Sequence, residues 1–288
     1  MLELGLSTAL IAIVLALAAA ALWGVSDFIG GLLGRRAPIL GVVIFTQAVG
    51  FVIAATITGL RGEPTMVGQD LWLALGGAVL GAMGVGTLYQ GLSAGRMGIV
   101  APVAAVLTAV TPALIGVVLQ GFPPLVVIAG LAVAIVAVVT VSASPDDGSG
   151  RPTGLPYALV AGVSLGLLSV IFSRISPAYV FAPLAVLRGG VVLIFVVFVL
   201  ARRLHWRVPR PAWRLILVAG VIDLAGNAAF ITAVRSGDLA ITAVLSSMYP
   251  VVTVLLAALV LRERITLSHA AGVALALVAI VLITGGSA

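Results

Sequence analysis

Long apolar runs separated by short polar breaks make up this chain, and each run is about long enough to cross a bilayer. A helix rises ~1.5 Å per residue, so ~20 apolar residues span ~30 Å of hydrocarbon. With polar, proline and glycine breaks as punctuation, ten runs emerge. They lie near 8–33, 39–60, 71–93, 97–119, 124–143, 155–174, 180–201, 212–234, 239–261 and 267–285. The sharpest break is Ser144-Pro145-Asp146-Asp147-Gly148-Ser149-Gly150-Arg151-Pro152, a polar stretch that cannot continue a helix. It predicts a linker over 144–153 between two units, 1–143 and 154–288, of five runs each. A second, basic break carries Arg202-Arg203-Leu204-His205-Trp206-Arg207, then Arg210 and Arg214.

The two units are related by an ungapped shift of 142 positions. Gly24 falls on Gly166, Gly84 on Gly226, Gly95 on Gly237 and Gly130 on Gly272. Val118-Leu119 meets Val260-Leu261 in the same register. An odd number of spans makes the second copy enter the membrane from the opposite side. The predicted fold is therefore an all-α integral membrane protein of ten transmembrane helices in a 5+5 inverted-topology repeat, an architecture common among secondary transporters. The register also marks what is not duplicated: Arg188 lies on Thr46, Asp223 on Gly81 and Asn227 on Val85.

Composition agrees. The chain is 62% hydrophobic and 8% charged, with a mean hydropathy of +1.32. A soluble domain carries about 25% charged residues, so this chain has too few to cover a water-facing surface. The start Met1-Leu2-Glu3-Leu4 lacks the basic region of a signal peptide, and the apolar run after it reads as a first transmembrane helix. The net charge of +6 comes from Arg without Lys, and most of it sits between apolar runs. It is thus an orientation signal rather than a nucleic-acid patch. Eleven Arg fall on the side reached after helices 1, 3, 5, 7 and 9, against Arg61, Arg174 and Arg235 on the other. The positive-inside rule makes the first side cytoplasmic and puts both termini outside, in what is expected to be a bacterial inner membrane.

Few residues at membrane depth carry chemistry. Arg188 and Asp223 fall at similar depth in antiparallel helices 7 and 8, where an ionised group must be paired or face water. Two readings stand. In one the pair is structural glue; in the other Arg188 receives a substrate anion while Asp223 carries a proton or competes for the Arg. Asn227, one turn after Asp223, would cap its carboxylate or line a cavity. Trp23 in helix 1 is either an interfacial anchor or a cavity wall, and Asp27 is a second proton-coupling candidate. Tyr89-Gln90 in helix 3, Thr46-Gln47 in helix 2 and Ser246-Ser247-Met248-Tyr249-Pro250 in helix 9 must face protein or a wet cavity. Pro112 and Pro250, near the middles of helices 4 and 9, are expected kinks that bend during transport. Gly30-x-x-x-Gly34, Gly77-x-x-x-Gly81 and Gly162-x-x-x-Gly166 allow close helix approach.

Catalytic signals are absent. There is no cysteine, and no metal cluster or nucleotide-binding loop is present. His205 and His269 lie at loop positions, and Asp146-Asp147 lacks a second acidic pair to hold magnesium. No enzyme, cofactor, metal or nucleic-acid partner is expected.

Ala240 through Ala257 carries a central Pro250 and runs into Leu261-Arg262-Glu263-Arg264-Ile265-Thr266 and then the Gly-containing Ala271 to Leu282. This stretch closely resembles the C-terminal repeat of EamA-type transporters of the drug/metabolite transporter superfamily. Trp23-Gly24 and Arg188 also fit that family's habits. The resemblance covers nearly the whole chain. It implies ten helices, a central cavity, and efflux or exchange of small polar or amphipathic metabolites such as amino acids. It also implies cytoplasmic termini, against the Arg count. The Glu corner is not duplicated, because the first unit has Gln120-Gly121-Phe122 there. The expected function is secondary transport by alternating access. Arg188, Asp223 and Asn227 would form the polar cluster, with Trp23, Tyr89, Gln90, Ser246 and Tyr249 around the substrate. The alternatives are a multidrug or cationic-compound exporter and a non-transporting membrane assembly partner. Two inverted copies in one chain complete the site, so a monomer in contact with membrane lipid is expected.

Overall fold

The structure is a computed structural model that describes residues 2–120, 124–142, 153–236, 245–246, 248–263 and 266–286. The linker expected at 144–153 lies outside the described residues except for Thr153. The described residues are helical, with no strand among them. The helices are α1 (Leu2–Gly34), α2 (Ile39–Leu60), α3 (Gly68–Ala94), α4 (Met97–Gln120), α5 (Leu125–Ser142), α6 (Leu155–Phe172), α7 (Ala182–Arg202), α8 (Trp213–Ser236), α9 (Tyr249–Leu261) and α10 (Leu267–Gly286). A short 3-10 turn, Arg210–Ala212, leads into α8. Seven stretches, in α1–α4 and α6–α8, are long and apolar enough to cross a membrane. The apolar stretches Leu125–Thr140, Tyr249–Leu261 and Ala270–Ile283 are shorter.

Apolar side chains cover both the interior and the outside of this bundle. Val52, Trp72, Leu193, Leu217 and Leu259 are exposed, in positions a soluble protein would give to charge. Such an outer surface is stable only against hydrocarbon, and the protein is an integral membrane protein.

In the region of helix 9, Leu245 and Ser246 are helical, and α9 runs from Tyr249 with Pro250 in its first turn. A proline loses nothing in a first turn, where its missing N–H has no partner inside the helix. Pro112 does lie within α4, which also holds Pro102. His269, expected in a loop, belongs to the first turn of α10.

Packing is set by small residues, in matched pairs. α1 packs on α8 and α3 on α6; α2 packs on α7 and α5 on α10; α1 packs on α9 and α6 on α4. A Cβ at Gly226 would stand 2.7 Å from Trp23 Cδ1, and one at Gly84 would stand 2.7 Å from Leu165 Cδ2. Gly84 and Gly226 are 142 positions apart, and so are Trp23 and Leu165. One residue off the same register, Gly24 meets Val252 and the Tyr249 carbonyl, while Gly166 meets Thr111 and the Thr108 carbonyl. Of the small-xxx-small patterns, Gly162 and Gly166 bring α6 against the α4 backbone at Ala104 and Thr108. Gly30, Gly34, Gly77 and Gly81 make room for side chains instead, those of Tyr89, Ser93, Phe172 and Leu187 among them.

Candidate functional site

Arg188 stands on the α7 face that packs on α2, its side chain reaches α8, and it is 4% exposed. Its Nη2 donates to Asp223 Oδ2 of α8 at 2.5 Å. Its Nη1 donates to Gln47 Oε1 of α2 at 3.3 Å. Nε is buried with no partner among the described residues. Space for the guanidinium comes from Gly50, one turn beyond Gln47, where any Cβ would collide with it. Three helices therefore meet at one charge. The Arg side chain is 5% exposed and the Asp side chain 26%, so the carboxylate is the member that reaches open space. Removing charges from water costs several kcal/mol per ion, which a close pair only partly offsets.

Asn227 does not cap that carboxylate. Its Nδ2 donates to the Asp223 backbone carbonyl at 2.9 Å, a bond within the same helix turn. An amide can satisfy itself this way where the carboxylate has already been taken by Arg188. Thr46 is similarly self-contained, its hydroxyl donating to the Val42 and Val43 carbonyls.

An aromatic group lies between α1, α3, α8 and α9. Trp23 packs at 5.6 Å from Phe230 and edge-on at 6.5 Å from Tyr249. Its indole rests on Gly226 of α8, and the Tyr89 ring rests on Gly30 of α1. Trp23 thus packs against α8 and α9 inside the bundle. Asp27, one turn along α1 from Trp23, is half-buried and lies in electrostatic range of Asp223 and Tyr249. No ion pair to it occurs among the described residues. Neighbouring hydroxyls tie the helices: Ser26 donates to the Ala219 carbonyl at 3.1 Å, and Thr253 to the Gly24 carbonyl at 3.1 Å.

The remaining candidates are less gathered. Gln90 is half-buried on α3, about 100° around the helix from Tyr89. Ser246 is buried, and Ser247 lies outside the described residues. Neither of two cavities along the bundle reaches Asp223. One of about 250 Å³ is an apolar groove between α4 and α5. The other, about 430 Å³, is lined by Ala55, Thr58, Glu63, Met66 and Ala185 among others.

Sequence reasoning placed Gln47 at membrane depth without its partner, and it passed over Glu63. Gln47 is the second partner of Arg188, and the 142-residue register held the clue. Arg188 falls on Thr46, and α2 and α7 pack on each other, so residues beside that register position lie across from Arg188. Glu63, between α2 and α3, accepts from the backbone N–H groups of Val180, Phe181 and Ala182 at 3.1, 2.9 and 3.0 Å. Burial alone would raise its carboxyl. The three N–H groups at the start of α7 and nearby Arg61 outweigh burial and hold it below the ordinary carboxylate range.

The profile of the EamA-like transporter family matches residues 152–285. No curated protein matches the chain. One solved structure, described only as a crystal structure of a protein, is 16% identical and superposes with a TM-score of 0.61 over 94% of this chain and 95% of that one. At that identity the likeness establishes a shared fold and no more. With its apolar outer surface, this membrane protein is similar over residues 152–285 to the EamA-like transporter family.

Proposed function

We propose that the protein is a secondary transporter that moves small metabolites, amino acids or related amphipathic compounds, by alternating access between two inverted five-helix halves, 1–143 and 154–288. The observation that carries this reading is the Arg188–Asp223 pair, buried among α2, α7 and α8 and confined to one half of the duplication. The matched contacts Gly226–Trp23 and Gly84–Leu165 support the symmetric frame on which the halves rock. A cargo carboxylate would take Arg188 from Asp223, and the freed Asp223, the more open of the two, would take up a proton. Trp23, Tyr89 and Tyr249 form the apolar wall, with Asn227, Gln90 and Ser246 as further polar contacts. Asp27 is a second proton carrier. The test is uptake by the purified protein in vesicles under an imposed proton gradient. Asp223→Asn should fold and lose proton-driven uptake, and unchanged coupling removes Asp223 from the mechanism.

A second reading is favoured by Asp27, an interior carboxylate with no ion pair among the described residues. It would suit export of cationic compounds, with Arg188 serving only as glue. Arg188→Glu separates the two. Anion-bearing cargo is lost under the first reading, whereas cation export persists under the second.

A further inference from the structure

Carboxylates tie the two halves together at both ends of the bundle, and each carboxylate binds the start of a helix in the opposite half. Glu63 belongs to the first half and holds the Val180, Phe181 and Ala182 N–H groups at the start of α7, in the second. Its side chain is 6% exposed, and Arg61 sits 3.4 Å from its other oxygen. Two more ties close the same end: Ser176 N donates to Asp70 Oδ1 at 3.0 Å, and the Tyr179 hydroxyl donates to the Thr65 carbonyl at 3.5 Å. Glu263 belongs to the second half. Its Oε2 accepts from Gly98 N, in the first turn of α4, at 3.3 Å. Its Oε1 pairs with Arg35, which follows α1, at 2.9 Å, with both side chains nearly buried.

These two sites lie at opposite ends. Arg35 precedes α2 and Glu63 follows it, and the 22 residues of that helix separate them by ~33 Å. They are not copies of one corner, since the repeat register puts Glu63 on His205 and Glu263 on Gly121. An anion at a helix start is held by N–H groups that have no partner inside the helix, and by the helix dipole. Such a contact is strong while formed and breaks as one unit when the helix moves away. Behind Glu63 lies the cavity of about 430 Å³, lined by Ala55 and Ala185 among others. Ala185 and Arg188 share a face of α7, three residues apart. The cavity therefore stands between the Glu63 end and the charge pair.

We propose that Glu63 and Glu263 are the two gates of the transport cycle, each closing one end of the bundle by binding a helix start in the opposite half. The proposal rests on the alternating-access reading above. It adds that opening toward one end breaks one carboxylate contact while the other stays formed. Since the chain has no cysteine, single reporters can be read without background. Ala55→Cys samples the cavity behind Glu63, and Ser93→Cys samples the packed site beside Gly34 at the Arg35–Glu263 end. In liposomes, Glu63→Gln should speed maleimide labelling of Ala55→Cys about tenfold, equivalent to ~1.4 kcal/mol, and slow that of Ser93→Cys. Glu263→Gln should do the reverse. Glu63→Asp and Glu263→Asp keep the charge but shorten its reach, and should shift labelling in the same directions by a smaller factor. They carry the test if a Gln variant does not fold. Rates that rise together at both reporters, or that do not change, overturn the proposal. Reciprocal labelling in a protein that moves no solute would leave the gates standing and reject the transporter reading. Transport without reciprocal labelling would do the opposite.

Discussion

Removing one partner of the Arg188–Asp223 pair should not cost the same from each side. In Asp223→Asn the guanidinium keeps its charge in a site where its side chain is 5% exposed. Among the described residues, Gln47 remains as its one other partner. Breaking a fully buried pair this way typically costs about 3–5 kcal/mol. The new amide still accepts one hydrogen bond, and the site is open on the Asp side, so a loss of about 2 kcal/mol is expected. In Arg188→Gln the orphan is Asp223, whose side chain is 26% exposed and can draw water. That loss should be nearer ~1 kcal/mol. The double variant leaves two neutral groups able to bond one another and should be less destabilised than the sum of the singles, with a coupling of at least ~1 kcal/mol. Reversible unfolding of the four proteins in one detergent, followed by helical circular dichroism, gives the cycle directly. Equal losses for the two singles, or coupling below ~0.5 kcal/mol, would refute the argument from burial.

Other consequences follow from single contacts. Gly226→Ala should displace the Trp23 indole and shift its fluorescence at a cost of about 1–3 kcal/mol, while Gly76→Ala, in open space, should leave stability unchanged. Pro250→Ala, in a first turn, should alter stability by less than ~1 kcal/mol. Pro112→Ala, inside α4, should leave the protein folded and slow transport by stiffening a helix expected to bend, as read in a vesicle flux assay. Glu63 is held below its ordinary pKa in the folded protein, so its stabilisation is complete above the unfolded value of 4.5 and fades as pH falls through the lower folded value. Glu63→Gln should therefore be less stable than the parent at neutral pH, and the gap should close only in strong acid. A C-terminal reporter active only outside the cytoplasm tests the orientation that the Arg distribution predicts.

The helices were legible because membrane spans are written in hydropathy, and most boundaries agree within two or three residues. The glycine register was legible for a physical reason too. Gly24, Gly84, Gly166 and Gly226 are places where a neighbour needs the space of a Cβ, at helix crossings that the 142-residue shift relates. The start of α9 was harder to read, because a proline in an apolar run signals a kink or a helix start equally well. Arg188 and Asp223 were visible from depth alone. The bond made by Asn227 was not, since an amide one turn from a carboxylate can serve either it or the backbone. Gln47 and Glu63 act across 141 and up to 119 positions of sequence. Spacing along the chain carries no sign of such partners until helices that pack on each other are known.

Transport by the purified protein in liposomes tests the central claim most directly. Loaded vesicles should release at least one member of an amino-acid and drug panel faster than protein-free vesicles when a proton gradient is imposed. Asp223→Asn protein, folded and inserted to the same level, should release it no faster than the empty vesicles do. Release by neither protein under any gradient, or equal proton-driven release by both, would contradict the account.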